Sequence, residues 1–445
     1  MAAWCLIRAV LFGSALAAAL AGGVAAQAGG EPVRNAPVQN ARVQNAPEAA
    51  GARPPRAEAR HPIAVSDIQP PEPAKLLFWT PDQQRFGYRF MERIFPGHVV
   101  KRGEAVRPLP RADAALTVRY TYNGEAWDVA RFMEHNQVAG LLVLHDGRIV
   151  LERYGLGLTE EGRWTSFSMA KSITSTLVGA ALNQGYIQSL DDPVTRYLPA
   201  LKGSAYEGVT LRHLLTMTSG VRWNEDYTDP RSDVNRFAGL SQSAAGGGEG
   251  DAPSRTIAFM AQLPRAHEPG TTFNYNTAET GLAGEVIRAA VGKPLAQYLS
   301  ETLWAPLGME QDGFWVTDKP GADGREIAGC CFSASLRDYG RFGQFLLAGG
   351  PALLAEGWVG EATRPAVPTG RGGQGYGYLW WTIDGGGFEA RGVFGQNIRI
   401  LPEKKLVIVT LSAWPRPGDP ERAEARRAFI EAVVRAVEEA GRSGS

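Results

Sequence analysis

Gly140-Leu-Leu-Val-Leu-His-Asp-Gly-Arg-Ile-Val-Leu-Glu-Arg153 sets the frame for the whole chain. Two apolar runs flank Asp146-Gly147, a pair that tolerates the positive φ of the favoured hairpin turns, so the stretch predicts two antiparallel strands. Downstream, residues 169–185 space Ile173, Leu177, Val178, Ala181 and Leu182 at helical intervals and stop at Gly185, which predicts a buried helix. Residues 186–320 then read mostly as helix and loop, with helical stretches near 210–217, 255–263, 278–292 and 294–304 and a flexible stretch at Ser243–Asp251. From Tyr376 the strand pattern returns as YGYLWWTI, FEARGVF, NIRILP and KLVIVTLS, and a helix over Pro420–Ala440 closes the chain. Hairpin, helical insert, meander and helix together predict an α/β (α+β) fold. One antiparallel sheet is built from both ends of the chain and flanked by helices, and the inserted subdomain of about 186–320 meets it at a cleft.

The 445 residues carry 46 Lys+Arg against 46 Asp+Glu and are 44% hydrophobic, the profile of a globular chain with a large core. Balanced charge offers no general attraction for phosphates, and no basic patch marks a nucleic-acid partner. Three cysteines make no disulfide scaffold, and neither cysteines nor histidines take metal-ligand spacing, so no metal and no cofactor are expected. Adjacent Cα atoms lie about 3.8 Å apart, below the usual disulfide range, so Cys330-Cys331 reads as two small buried hydrophobes. His213, inside an apolar stretch, reads as a structural histidine.

Residues 1–26 hold one charge, Arg8, then an apolar run ending Val24-Ala25-Ala26, the pattern of a cleaved signal peptide. Cleavage would leave no membrane span and place the rest in the periplasm or outside the cell. Residues 27–75 repeat Val-x-Asn-Ala and run into Pro, Ala and Arg, too poor in large apolar side chains to offset chain ordering, so they read as a disordered linker. The folded domain is expected over 76–445. Its first aromatics, Phe78 to Phe95, show no clear period and are expected to pack on the domain surface.

Chemistry is concentrated at Ser168-Met169-Ala170-Lys171, which opens the buried helix. A spacing of three puts both side chains on one face, where an amine with a lowered pKa can take the serine proton. Backbone N–H groups at the helix start are free to stabilise an oxyanion. Alone, the pair is a weak signal, because a serine at a helix start is usually an N-cap. Its surroundings are Trp164–Ser175, Ile187–Pro199, Thr210–Gly220 and Pro269-Gly-Thr-Thr-Phe-Asn-Tyr-Asn-Thr277.

With those segments the chain resembles the serine β-lactamase and penicillin-binding superfamily in its class C and esterase branch, and in particular the 6-aminohexanoate-dimer hydrolases, amidases of nylon oligomers. The resemblance spans roughly Leu76 to the C-terminus. It implies Ser168 as nucleophile and Lys171 with Tyr275 as proton carriers, Tyr275-Asn276-Thr277 standing where the branch has Tyr-x-Asn. Thr277 departs from that pattern. The third family motif, Lys-Thr-Gly or His-x-Gly, is matched by Ala390-Arg391-Gly392, which lacks the lysine that helps hold a β-lactam carboxylate. Val393 N–H would join that of Ser168 in the oxyanion hole, and Gly392 would let the strand approach closely. Tyr227, Asn276, Thr277, Arg391 and Gly392 are the implied substrate contacts. Arg391 either replaces the missing lysine or points away by strand alternation. Ser232-Asp233-Val234 ends in the wrong residue for a Ser-Asp-Asn element.

Three functions follow from this reading. The first is an exported serine hydrolase that cleaves small linear amides or esters through an acyl-enzyme. The second is a β-lactamase or DD-peptidase, and the third is a non-catalytic family member that binds a ligand.

Overall fold

The computed structural model describes residues 70–240, 254–370 and 374–443. The expected signal peptide, the linker up to residue 69 and the Ser243–Asp251 stretch lie outside the described residues.

Val138–His145 and Arg148–Tyr154 pair antiparallel as the sequence predicts, and Asp146 and Gly147 both take positive φ, 48° and 76°. Leu406–Ser412 pairs with the other edge of Val138–His145, joining the two ends of the domain. The meander continues through Gln396–Leu401, Gly387–Gly392, Trp381–Ile383, Gln374–Tyr376 and Val367–Pro368, giving eight antiparallel strands. Helices cover both faces. Leu141, Val143, Leu406 and Ile408 face one cluster with Phe132 and Phe429, while Leu142, Leu144, Val407 and Val409 face another with Leu177 and Phe342. Two-sided burial explains why these strands read as continuous apolar runs instead of alternating ones. On the second face the helix Leu336–Leu347 lies very close to the sheet. A Cβ on Gly340 would stand 2.5 Å from Leu142 Cδ2, and one on Gly343 2.5 Å from Val407 Cγ1.

The expected helices form at Leu211–Leu215, Arg255–Met260, Thr277–Val291, Leu295–Leu299 and Pro420–Ser443. Three expectations need correction. YGYLWWTI is not one strand, because Leu379 has φ 60° and the chain turns between Tyr376 and Trp381. A second sheet joins Gly97–Val100, Gly313–Val316, Phe332–Ala334 and Trp164–Thr165, so the expected single sheet is not the only one, while 186–320 is mostly helix and loop as expected. The early aromatic segment is mostly buried, with Phe78 left exposed. Trp79, Tyr88, Met91 and Phe95 are buried, and the Tyr88 ring packs edge-on to Trp164 and Phe167. That packing braces the turn leading to Ser168.

The helix Met169–Asn183 is buried from Met169 to Ala181 between the strand Gly387–Gly392 and the helix Thr277–Val291. Its N-terminus therefore lies where sheet and insert meet.

Candidate active site

Ser168 occupies the N-cap position of that helix, yet its side chain makes no capping hydrogen bond. Its Oγ instead accepts a hydrogen bond from Lys171 Nζ at 2.9 Å. An ordinary capping serine spends its oxygen on the N2 or N3 amide, so the hydroxyl here is held for another use. The preceding Phe167 has φ 44°, a conformation costing a non-glycine residue about 1–3 kcal/mol. Phe167 is held there by Tyr88 and Phe394, with ring centroids 5.0 and 5.1 Å away.

Lys171 is 1% exposed, and its Nζ also donates to the Gly329 carbonyl at 2.9 Å. Burial lowers its pKa to about 8, against an opposing pull from the Glu225 carboxylate. A lysine so placed is neutral in roughly a fifth of molecules near physiological pH, far more than a free lysine, and in that form can accept a proton. Tyr275 covers it, with Nζ 5.1 Å from the ring centroid. The Tyr275 ring in turn stacks on Trp381 at 5.7 Å. Ser168, Lys171 and Tyr275 thus converge from a helix and a loop.

Across the cleft Glu225 organises the side chains that the substrate would meet. Its carboxylate accepts from Tyr227 Oη at 2.5 Å, from the Thr277 amide at 3.0 Å and from the Thr277 hydroxyl and Trp223 indole. Burial, then the Glu225 charge, pushes the Tyr227 phenol well above its ordinary pKa, so it remains a proton donor. The Asn235 side chain donates to the carbonyls of Asp226, Tyr227 and Asp229, pinning the loop that carries Tyr227. Sequence reasoning missed Glu225, Asn235 and the Gly329 carbonyl. An acid two residues before Tyr227 was the available signal for Glu225.

The remaining expected contacts divide. Gly392 does permit close approach, since a Cβ there would stand 2.4 Å from the Ser166 carbonyl oxygen. Val393 lines the same cleft as Ser168, Tyr227 and Thr277. Asn276 is instead 1% exposed, and its side-chain oxygen caps the helix Thr277–Val291 through the amides of Ala278 and Glu279 at 3.0 and 3.2 Å. Arg391 stands on the strand face of Glu389. It pairs with Glu389, donates to Gln374 Oε1 at 2.9 Å and lies 4.9 Å over the Trp381 ring. Asn276 thus serves as a helix cap through its side-chain oxygen, and Arg391 as the partner of Glu389 beside Trp381. Cys330 and Cys331 are joined by a disulfide, which corrects their reading as free hydrophobes; both line the cleft. His213 pairs with Thr210 in a capping box, a structural role. No cluster of acidic, histidine or cysteine side chains suited to a metal occurs among the described residues.

A Beta-lactamase family model matches residues 128–432, taking in the hairpin, Ser168, Lys171, the insert and the meander. The chain belongs to the Beta-lactamase family. Within that family it is similar to the 6-aminohexanoate-dimer hydrolase of Paenarthrobacter ureafaciens, 28% identical over 387 residues, 81% of this chain and 93% of that protein. It is also similar to esterase EstB of Burkholderia gladioli, 31% identical over 189 residues, 39% of this chain and 46% of EstB. Among solved structures, a Bacillus anthracis protein provisionally named a 6-aminohexanoate-dimer hydrolase matches with TM-score 0.70 and 25% identity, covering 80% of this chain and 95% of that one. The protein is a serine hydrolase of the β-lactamase fold.

Proposed function

We propose that this β-lactamase-fold hydrolase is exported and cleaves amide or ester bonds of small linear substrates through an acyl-enzyme on Ser168. The supporting observation is the Ser168 hydroxyl, released from helix capping and bonded to a buried, pKa-depressed Lys171. Ser168 Oγ attacks the carbonyl carbon, and its proton passes to the neutral Lys171 amine and on through Tyr275 to the leaving nitrogen or oxygen. The Ser168 and Val393 amides hold the negative charge that develops on the carbonyl oxygen. Water then repeats the attack on the acyl carbon, its proton returns through the same groups to Ser168, and the acid leaves. Tyr227 and Thr277, both held by Glu225, contact the substrate at the cleft wall.

The β-lactamase or DD-peptidase reading is disfavoured by one observation. Ala390-Arg391-Gly392 stands where the family has Lys-Thr-Gly, and Arg391 is paired with Glu389, so the lysine that helps hold a β-lactam carboxylate is missing from that strand. Export rests on the pattern of residues 1–26, with 27–75 as spacer before the domain. The mass of the protein recovered from a periplasmic extract tests it.

The activity is tested with purified enzyme and its Ser168→Ala variant on p-nitrophenyl acetate, the linear 6-aminohexanoate dimer and a chromogenic cephalosporin. Turnover of ester or dimer that is lost in the variant is expected. Dominant cephalosporin turnover would move the assignment to β-lactamase, and equal inactivity of parent and variant would favour a binding protein.

A further inference from the structure

The cleft beside Ser168 has a cavity volume of about 110 Å³, room for one small substrate group. Its walls are almost wholly apolar. Met91, Phe95 and Phe167 stand on one side, with Ile327 and the Cys330–Cys331 disulfide among the others. The only side chains with hydroxyl or amide groups among its described residues are Ser168, Tyr227, Asn235 and Thr277, and those of Tyr227, Asn235 and Thr277 are already engaged with the protein. An ionic group entering this space would lose water and gain no partner, whereas an alkyl or aryl group would gain its full burial.

Which part of the substrate enters follows from proton transfer. The leaving atom must come within reach of Lys171 and Tyr275, and neither of them lines this cleft. The acyl group carries no such requirement and departs from the carbonyl on the other side. We propose that this cleft is an acyl pocket, and that the protein is selective for uncharged, apolar acyl groups, in preference to acyl chains ending in an ammonium or carboxylate. This deepens the acyl-enzyme reading and rests on it. It separates this chain in substrate chemistry from a hydrolase of charged linear amides.

The test is a series of p-nitrophenyl esters from acetate to octanoate, beside 6-aminohexanoate and adipate monoesters of matched length. Each added methylene is expected to raise kcat/KM about two- to fourfold until the pocket is filled. A terminal charge is expected to lower kcat/KM at least 30-fold relative to the neutral chain of equal length. Inactivation rates with p-nitrophenyl alkylphosphonates of the same lengths read the same preference without needing deacylation. Phe78, 54% exposed and on the cleft wall, provides a variant that does not disturb the core. Phe78→Lys is expected to lower the octanoate value and raise the adipate value, a change of preference that misfolding does not produce. Ser168-dependent turnover with a flat profile, or with a preference for charged ends, overturns the acyl-pocket proposal and leaves the acyl-enzyme reading standing. Failure of every ester and every phosphonate to react at Ser168 overturns both.

Discussion

Lys171 Nζ stands 2.9 Å from Ser168 Oγ and 2.9 Å from the Gly329 carbonyl oxygen, with Tyr275 closing the space above it. Both bonds can be formed while the helix start goes uncapped by Ser168. A structural serine in this position would be expected to cap the helix instead.

Because the amine must be neutral to accept the serine proton, kcat/KM should rise with pH through about 8, the value to which burial lowers Lys171. Lys171→Met should reduce kcat/KM by about 10³ or more and remove this acid limb while circular dichroism is unchanged. An unaltered limb in the variant would assign it to another group.

Tyr275→Phe keeps the stack on Trp381 and the ring over Lys171 while removing only the hydroxyl. A loss of about 10²- to 10⁴-fold in kcat with an unchanged melting temperature is expected if the phenol relays protons. A change below twofold would reduce Tyr275 to packing.

Glu225 acts on the site in two ways, and Glu225→Gln separates them. Its carboxylate raises the Lys171 pKa against the effect of burial, so neutralising it should move the acid limb of the pH profile to lower pH. The tethers to Tyr227 and Thr277 weaken at the same time, which should raise KM. Pre-steady-state kinetics across pH would read both, and a limb moving upward would contradict the electrostatic account.

Glu279 is 1% exposed within the insert, accepting from Ser219 and from Tyr206 Oη at 3.3 Å, and burial raises its pKa to about 8. A carboxyl raised on folding contributes stability that is complete below the unfolded value, 4.5, and is lost as pH rises toward about 8. Glu279→Gln should therefore flatten the decline in melting temperature over that interval and equal or exceed the parent at its upper end. Thermal melts at several pH values across it provide the check, and a variant whose melting temperature declines as steeply as the parent's would contradict the linkage.

The hairpin, the meander and the buried helix were legible because each carries a long apolar run with clear punctuation. Asp146-Gly147 supplies the punctuation in the hairpin and Gly185 in the helix. The second sheet was not, since strands as short as Trp164–Thr165 and Phe332–Ala334 carry no period. Nor was the burial of Tyr88 and Phe95, which is set by partners distant in sequence such as Phe167 and Trp79. Ser168 and Lys171 stand close in sequence, so their meeting could be read from helical spacing. Glu225 and Thr277 meet across 52 residues, and Arg391 finds Glu389 only because alternate strand residues share a face. The Cys330–Cys331 bond went against the usual Cα separation, which adjacent residues do not meet.

The central claim is a covalent acyl intermediate on Ser168. Mass spectrometry of the enzyme quenched during turnover of a p-nitrophenyl ester, followed by peptide mapping, tests it most directly. The account predicts one acyl group, carried by the peptide containing Ser168 and absent from Ser168→Ala. Turnover that persists in Ser168→Ala, or an acyl group mapped to any other residue, would contradict it.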